Sequence, residues 1–320
     1  MAHPFAITGV AGFVAPRHLK AIKDTGNRLV AALDPHDAVG ILDRFFPAVR
    51  FFTEFERFDR HLEKLRRAST DERVRYVSIC APNYLHDAHI RMALRVGADA
   101  ICEKPLVINP WNLDALQELE GETGRRVYTV LQLRLHPALM ALKQALASGP
   151  DRSGVDVCLT YITGRGPWYD VSWKGVPERS GGLAVNIGIH FFDLLIWLFG
   201  PAGRSDVHLS EPGRMSGAFE CGAARVRWFL STRMDDVPAE ARHQGRTTYR
   251  SITVDGAELE FTEGFTDLHT RVYEDVLRGG GFTIDDARAS IELAYRVRTG
   301  APVAATPESA HPFLGTSAGR

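Results

Sequence analysis

From Phe5 to about residue 130, short apolar runs alternate with segments of helical period. The runs FAITGV, RLVAALD, YVSICAP, DAICEKP and RVYTVLQLR read as buried strands. Between them lie amphipathic stretches such as Arg17 to Thr25 and His86 to Val96, the second closed by Gly97 as a C-cap. This alternation predicts a doubly wound α/β domain around a parallel sheet, residues 1–130. Right-handed crossovers bring the carboxyl ends of such strands to one edge, where open α/β sheets bind ligands. Gly9, Asp34, Ala81-Pro82-Asn83 and Glu103-Lys104 all fall there.

After a helix-like segment beginning near His136, the period changes to two. VDVCLTYITGRG, ARVRWFLST and YRSITVDGAELEFTEG alternate as strands, the last with Asp255-Gly256 as a hairpin turn. Residues 131–320 are therefore expected to form an α+β domain with a large, mostly antiparallel open sheet. It carries an inserted helix from about Asn186 to Phe199 and two further helices near 267–277 and 285–297. The apolar run Ile187–Leu198 contains His190 and Asp193 and is shorter than the roughly 20 residues that span a bilayer, so a buried helix is expected. The final segment, 301–320, is rich in Ala, Pro, Ser and Gly and predicts a loose tail. No internal repeat is visible.

Composition narrows the partners. With 320 residues, 45% of them hydrophobic and 24% charged, the chain can bury ordinary globular cores, and its length suits two domains. A formal net charge of −1 gives no field for nucleic acid or an anionic membrane, which favours a small-molecule partner. The N-terminus lacks the pattern of an export signal, so a cytoplasmic location is expected. Cys80, Cys102, Cys158 and Cys221 have neither CxxC nor Cys/His spacing and read as reduced, mostly buried thiols, with no metal expected.

The turn ITGVAGFVAPRH follows the first strand and opens a helix. Gly9 and Gly12 would let the backbone approach a pyrophosphate, with the Phe13 and Val14 amides meeting it at the helix N-terminus. Its spacing is G-x-x-G-x-x-A, and a tight turn without a ligand accounts for it about as well. Asp34 ends the second strand, where a carboxylate accepts from the adenosine ribose and disfavours a 2′-phosphate. NAD rather than NADP is expected. Asp34 also suits a helix N-cap followed by Pro35 at N1, and both roles are compatible.

In ICEKPLV, Glu103-Lys104 reads either as a solvated ion pair at a strand end, with Pro105 opening a helix, or as a reactive corner. In the second reading Lys104 faces a reacting hydroxyl and Glu103 tunes its charge. A second group is needed, and RSGGLAVNIGIHFFDLL offers one. Asn186, His190 and Asp193 share roughly one helical face. A lone His in so apolar a segment suits a core residue; a buried polar trio demands partners.

The Rossmann turn, the EKP corner and the GG...N-x-G-x-H-x-x-D helix, with the sheet that follows, resemble the Gfo/Idh/MocA oxidoreductases from Phe5 to about Arg298. The stretches YITGRGPWYDVSWKG and YRSITVDGAELEFTEGFTDLHT resemble the members that oxidise UDP-N-acetyl-2-amino-2-deoxy-D-glucuronate at C3. The resemblance implies hydride transfer from C3 to NAD. The resulting 3-keto sugar would pass to an aminotransferase, in the making of a diacetamido-mannuronate unit of bacterial lipopolysaccharide O-antigen. It also implies a homo-oligomer, a tetramer by family, and an open sheet face in the second domain needs a cover.

On that resemblance Lys104 and His190 are the catalytic pair, with His190 favoured as base and Lys104 polarising the oxygen; the reverse assignment stays open. Cofactor contacts would come from Gly9, Gly12, Phe13, Val14 and Asp34, then from Ala81, Pro82, Asn83 and His86, and from Glu103, Lys104 and Gln132. The diphosphate and carboxylate of the substrate call for cations, which Arg165 and Lys174 supply, while Trp168, Tyr169 and Trp173 offer flat surfaces. Arg134, Asn186, Lys104 and His190 complete the substrate set, with His136 a further contact and His269 read as structural. The family often has Asp where Asn186 stands, and the amide removes the carboxylate that a proton relay there would use. Two alternatives remain: a dehydrogenase of another sugar or polyol, and an NAD-binding regulatory protein without catalysis.

Overall fold

The computed structural model describes residues 2–37, 39–68, 71–148, 154–259 and 267–315. The chain divides into two compact units: Met1–Leu135 with Gly264–Arg288, and His136–Glu263 with Ala289–Arg320.

The first unit is built on a six-stranded sheet in the order β3-β2-β1-β4-β5-β6. Its strands are β1 (Pro4–Thr8), β2 (Arg28–Leu33), β3 (Arg50–Phe52), β4 (Tyr76–Ile79), β5 (Asp99–Cys102) and β6 (Val127–Thr129), and every pairing is parallel. The order reverses between β1 and β4, which creates the crevice of a doubly wound sheet beside Gly9. Phe5, Ile7 and Ala32 pack with Leu19 and Ile22 of the helix Ala15–Asp24.

The same core takes in Val272, Tyr273 and Val276 from the helix Leu268–Leu277, with the Tyr273 ring 5.8 Å from that of Phe5. Burying three such side chains contributes several kcal/mol, at about 1.5–3 kcal/mol each for large apolar groups. A linear cut at 130/131 therefore misplaces this helix, which packs into the first unit.

The second unit has a six-stranded mixed sheet ordered β12-β11-β7-β10-β9-β8. Its strands are β7 (Val155–Thr163), β8 (Ala202–Glu211), β9 (Arg214–Cys221), β10 (Ala224–Ser231), β11 (Thr248–Val254) and β12 (Ala257–Glu258). Only β7 and β10 run parallel; the other pairs are antiparallel. Asp255 (φ 50°) and Gly256 (φ 80°) form the β11–β12 hairpin turn read from sequence. The end of the stretch from YRSITV to FTEG lies outside the described residues.

The run Pro177–Phe199 is long and apolar enough to cross a membrane by length and composition, yet most of it is buried. Phe192 lies edge-on to Phe219 and Trp228, with centroids 5.7 and 5.6 Å away, so this helix is the lid of one sheet face. The opposite face is covered in part by the chain's own C-terminal segment. His311 and Phe313 lie 5.6 and 5.5 Å from the Phe229 ring, and His311 Nε2 meets the Thr160 hydroxyl at 3.1 Å. The segment 301–315, largely exposed, is thus anchored at points rather than loose, also by the Val303 N–H donating to the Val207 carbonyl (2.8 Å); residues 316–320 lie outside the described residues.

Candidate active site

The dinucleotide turn has the geometry its glycines suggest. Gly9 has φ +76°, and a Cβ placed on it would lie 2.5 Å from the backbone of Cys80 and Ala81, so only glycine lets the turn lie against the end of β4. Its N–H donates to the Leu33 carbonyl (2.8 Å), and the Gly12 N–H donates to the Gly9 carbonyl (3.0 Å). Phe13 and Val14 lead into the helix Ala15–Asp24, and the Phe13 side chain is exposed.

Asp34 is buried. Its Oδ2 accepts from the Ala11 N–H and its Oδ1 from the His36 N–H, both at 2.9 Å. It braces the glycine turn and caps no helix, since the next helix begins at Val39. Each carboxylate oxygen keeps capacity for a second donor, as a ribose diol requires.

On the neighbouring strand end, Ala81 and Pro82 lead into a short 3-10 turn, Asn83–Leu85, with Asn83 buried, before the helix His86–Arg95. The His86 ring nitrogens meet the Pro105 carbonyl at 2.7 Å and the Ala81 carbonyl at 2.8 Å. Both nitrogens are occupied, so His86 staples two loops of the cofactor edge instead of presenting a nitrogen to a ligand. No helix opens at Pro105, which follows a cis peptide bond from Lys104; the next begins at Trp111.

Gln132 carries a buried side-chain oxygen with no hydrogen-bond partner among the described residues, the signature of an acceptor awaiting a ligand N–H. The glycine cradle, the braced carboxylate and this orphaned acceptor fit a nicotinamide dinucleotide. Arg134, expected to bind substrate, is 7% exposed. It is ion-paired with Asp286 at 3.1 Å and lies 5.4 Å from the Phe282 ring, so it holds the first unit together. His136 is buried at the entrance to the helix Pro137–Ser148.

Glu103 differs most from its expected surroundings. The carboxylate is buried, and its Oε1 meets His18 Nε2 at 2.9 Å and His269 Nε2 at 3.0 Å, while Oε2 accepts from the Lys104 N–H at 3.2 Å. His18 Nδ1 lies 2.7 Å from the Tyr273 hydroxyl, which lies 2.6 Å from Ser78 Oγ. Burial pushes the Glu103 carboxyl up, but the bonds from both imidazoles outweigh it and hold the group well below the usual carboxylate range. Burial pushes His18 down. Sequence reasoning missed His18 and Tyr273. Yet His18 shares the buried helical face of Ala15, Leu19 and Ile22, and a histidine at such a position is the signal that could have found it.

In the second unit, the loop after β7 folds into the turns Trp168–Val171 and Trp173–Gly175. Tyr169 is buried and its hydroxyl accepts from the Asn186 amide at 3.0 Å, while the Arg165 guanidinium lies 6.0 Å from its ring. Lys174 Nζ sits 5.1 Å from the Trp168 ring and 5.7 Å from that of Trp173. Burial and then the nearby Arg165 charge push the Lys174 amine down. The Arg165 charge acts on Lys174 directly, so the two cations are drawn together in this loop. Arg165, Trp168, Tyr169, Trp173, Lys174 and Asn186 are therefore one cluster.

Asn186 lies in a π-helical turn, Ala184–Gly188, which continues as the α-helix Ile189–Phe199 bearing half-buried His190 and buried Asp193. Such π-turns concentrate at functional sites.

Residues 4–131 match the Oxidoreductase family, NAD-binding Rossmann fold, and residues 154–223 match the Oxidoreductase family, C-terminal alpha/beta domain. The chain belongs to the Gfo/Idh/MocA oxidoreductases, and it is an NAD-binding member. Within that family it is similar to the WlbA (WbpB) dehydrogenase from Thermus thermophilus. It is 55% identical to that chain in its complex with NAD and UDP-GlcNAcA, with a TM-score of 0.93, covering 98% of this chain and 100% of that one. It is 56% identical in the complex with NAD and alpha-ketoglutarate, with the same TM-score of 0.93 and the same 98% and 100% coverage. The chain spans about half the length of the curated relatives it matches. One is the inositol 2-dehydrogenase of Rhizobium meliloti, 29% identical over 61% of this chain and 54% of that protein.

Proposed function

We propose that this chain oxidises the C3 hydroxyl of UDP-N-acetyl-2-amino-2-deoxy-D-glucuronate (UDP-GlcNAcA) to the 3-keto sugar. The observation that carries this is 55% identity along the whole of the Thermus chain, which binds NAD and UDP-GlcNAcA. The convergence of Arg165 and Lys174 supports it, because a diphosphate and a carboxylate call for cations and a free polyol does not.

NAD supplies the hydride acceptor when bound. Gly9, Gly12, Phe13 and Val14 form its pyrophosphate turn, Asp34 takes the ribose diol, and Gln132 accepts from the carboxamide. Ala81, Pro82 and Asn83 line the same edge. Arg165 and Lys174 bind the anionic groups of the sugar nucleotide, Trp168 and Trp173 offer ring faces, and Tyr169 with Asn186 fixes the loop to the helix. His190 accepts the hydroxyl proton as the C3 hydride departs, and the Lys104 ammonium stabilises the developing alkoxide. The 3-keto product then serves an aminotransferase, toward a diacetamido-mannuronate residue of lipopolysaccharide O-antigen. The site is cytoplasmic, a reading supported by four unpaired cysteines, and the assembly is a homotetramer.

The test is turnover of UDP-GlcNAcA with NAD and the aminotransferase present, alongside thermal protection by UDP alone. The expected result is a 3-amino sugar nucleotide and a raised midpoint with UDP. Product without net NADH means that the cofactor is recycled on the enzyme, a course favoured by the alpha-ketoglutarate complex of the Thermus relative. Turnover of a free polyol without protection by UDP contradicts the reading, as does NAD binding without turnover of any sugar.

A further inference from the structure

We infer that His18, His269 and Tyr273 are positioning residues: with Ser78 they form one hydrogen-bonded chain that pins the Glu103 carboxylate and, through it, the backbone of Lys104. The inference rests on the reading of Lys104 as catalytic.

Counting protons gives every bond in the chain a direction. An ionised Glu103 only accepts, so His18 and His269 both donate Nε2–H to its Oε1, at 2.9 and 3.0 Å. A neutral His18 then has Nδ1 as an acceptor, filled by the Tyr273 O–H at 2.7 Å. Tyr273, having donated its proton, accepts from Ser78 Oγ at 2.6 Å. The opposite carboxylate oxygen takes the Lys104 N–H at 3.2 Å. With His18 neutral and Glu103 ionised, the chain closes with no donor or acceptor in conflict.

Its members come from different parts of the first unit: Ser78 from β4, His18 from the helix Ala15–Asp24, and Tyr273 and His269 from the helix Leu268–Leu277. All are buried, so solvent does not replace a lost partner. Burial pushes His18 down, and the bonds from the two imidazoles hold the Glu103 carboxyl low against its burial. Removing one donor releases the carboxylate to rotate, and the residue bonded to it moves with it. A displacement of about 1 Å at a catalytic group costs on the order of 10²-fold in rate.

The same three groups, His18, Glu103 and His269, have ligand atoms within 4.8 Å of one another, so a bound cation is the rival occupant. The distances favour protons, since each imidazole meets the same carboxylate oxygen at hydrogen-bond length.

The test uses the full chain with His269→Leu and His269→Gln, the second retaining a neutral N–H donor. His269→Leu should lower kcat by about 10²-fold with little change in KM for NAD, and His269→Gln should recover most of that loss. Independently of activity, nitrogen-15 spectra at pH 7 should show His18 as a neutral Nε2–H tautomer. Undiminished kcat in a folded His269→Leu variant overturns the inference, as does an imidazolium at His18. A zinc-dependent rise in thermal midpoint that His18→Gln abolishes overturns it too, in favour of a metal. If UDP-GlcNAcA is not turned over at all, the proposed function fails alone, and the spectra still decide the protonation pattern.

Discussion

At the scale of the residue, the buried hydroxyl of Tyr273 shows how much depends on one polar atom. It is the shared partner of His18 Nδ1 and Ser78 Oγ, and all three residues are fully buried. Tyr273→Phe preserves the ring against Phe5 but leaves two polar groups without that partner. The unfolding free energy should fall by about 1–3 kcal/mol, read as a lower urea midpoint with an unchanged slope. An unchanged midpoint would mean that the hydroxyl contributes nothing net. Individual residues were only partly legible in the sequence. Glycines at strand ends announce themselves because few residues meet their geometry, and Gly9 stands where its spacing placed it. A tertiary partner carries no such local mark: Glu103 and Tyr273 are far apart in the chain, and nothing near either says they share a histidine.

At the scale of the element, hydrophobic period told most where one face is buried and the strand is long. The runs from FAITGV to RVYTVLQLR all lie in the parallel sheet, and β7, β10 and β11 match the period-two stretches. The elements that escaped did so for physical reasons. β3 has only three residues, Arg50–Phe52. β8 is an edge strand, largely exposed or half-buried, so it lacks an alternating pattern, and β9 is buried at nearly every position. The C-terminal strap looks like a tail because its anchors, His311 and Phe313 on the ring of Phe229 among them, are sparse against a background of Ala, Pro and Thr. The π-turn at Ala184–Gly188 has the same apolar composition as the helix it enters and leaves no separate trace in sequence.

At the scale of the whole molecule, both units bury neutral histidines, which makes stability depend on pH. Burial pushes His18 down, holds His89 at about 4 and His311 at about 3. Each binds a proton more readily unfolded than folded below about pH 6.5. Their contribution is therefore complete above that pH and is lost as pH falls toward the folded values. For each such histidine the unfolding free energy declines by up to about 1.4 kcal/mol per pH unit. Glu103, held low, adds a further loss below about pH 4.5. Urea midpoints should stay level near pH 7.5 and drop steadily between pH 6 and 5; a flat profile across that range would contradict neutral burial. The two units also set what the sequence could tell about domains. Both sheets were expected, but the return of Leu268–Leu277 to the first unit depends on a packing surface and not on a boundary signal.

The central claim is that hydride leaves C3 of the sugar for NAD. The direct measurement is a single turnover of enzyme with NAD and UDP-GlcNAcA carrying deuterium at C3, quenched and read by mass spectrometry of the cofactor. The predicted result is NADH heavier by the one deuterium, with a 3-keto sugar that has lost it. Unlabelled NADH, or deuterium retained at C3 of a product, would contradict it.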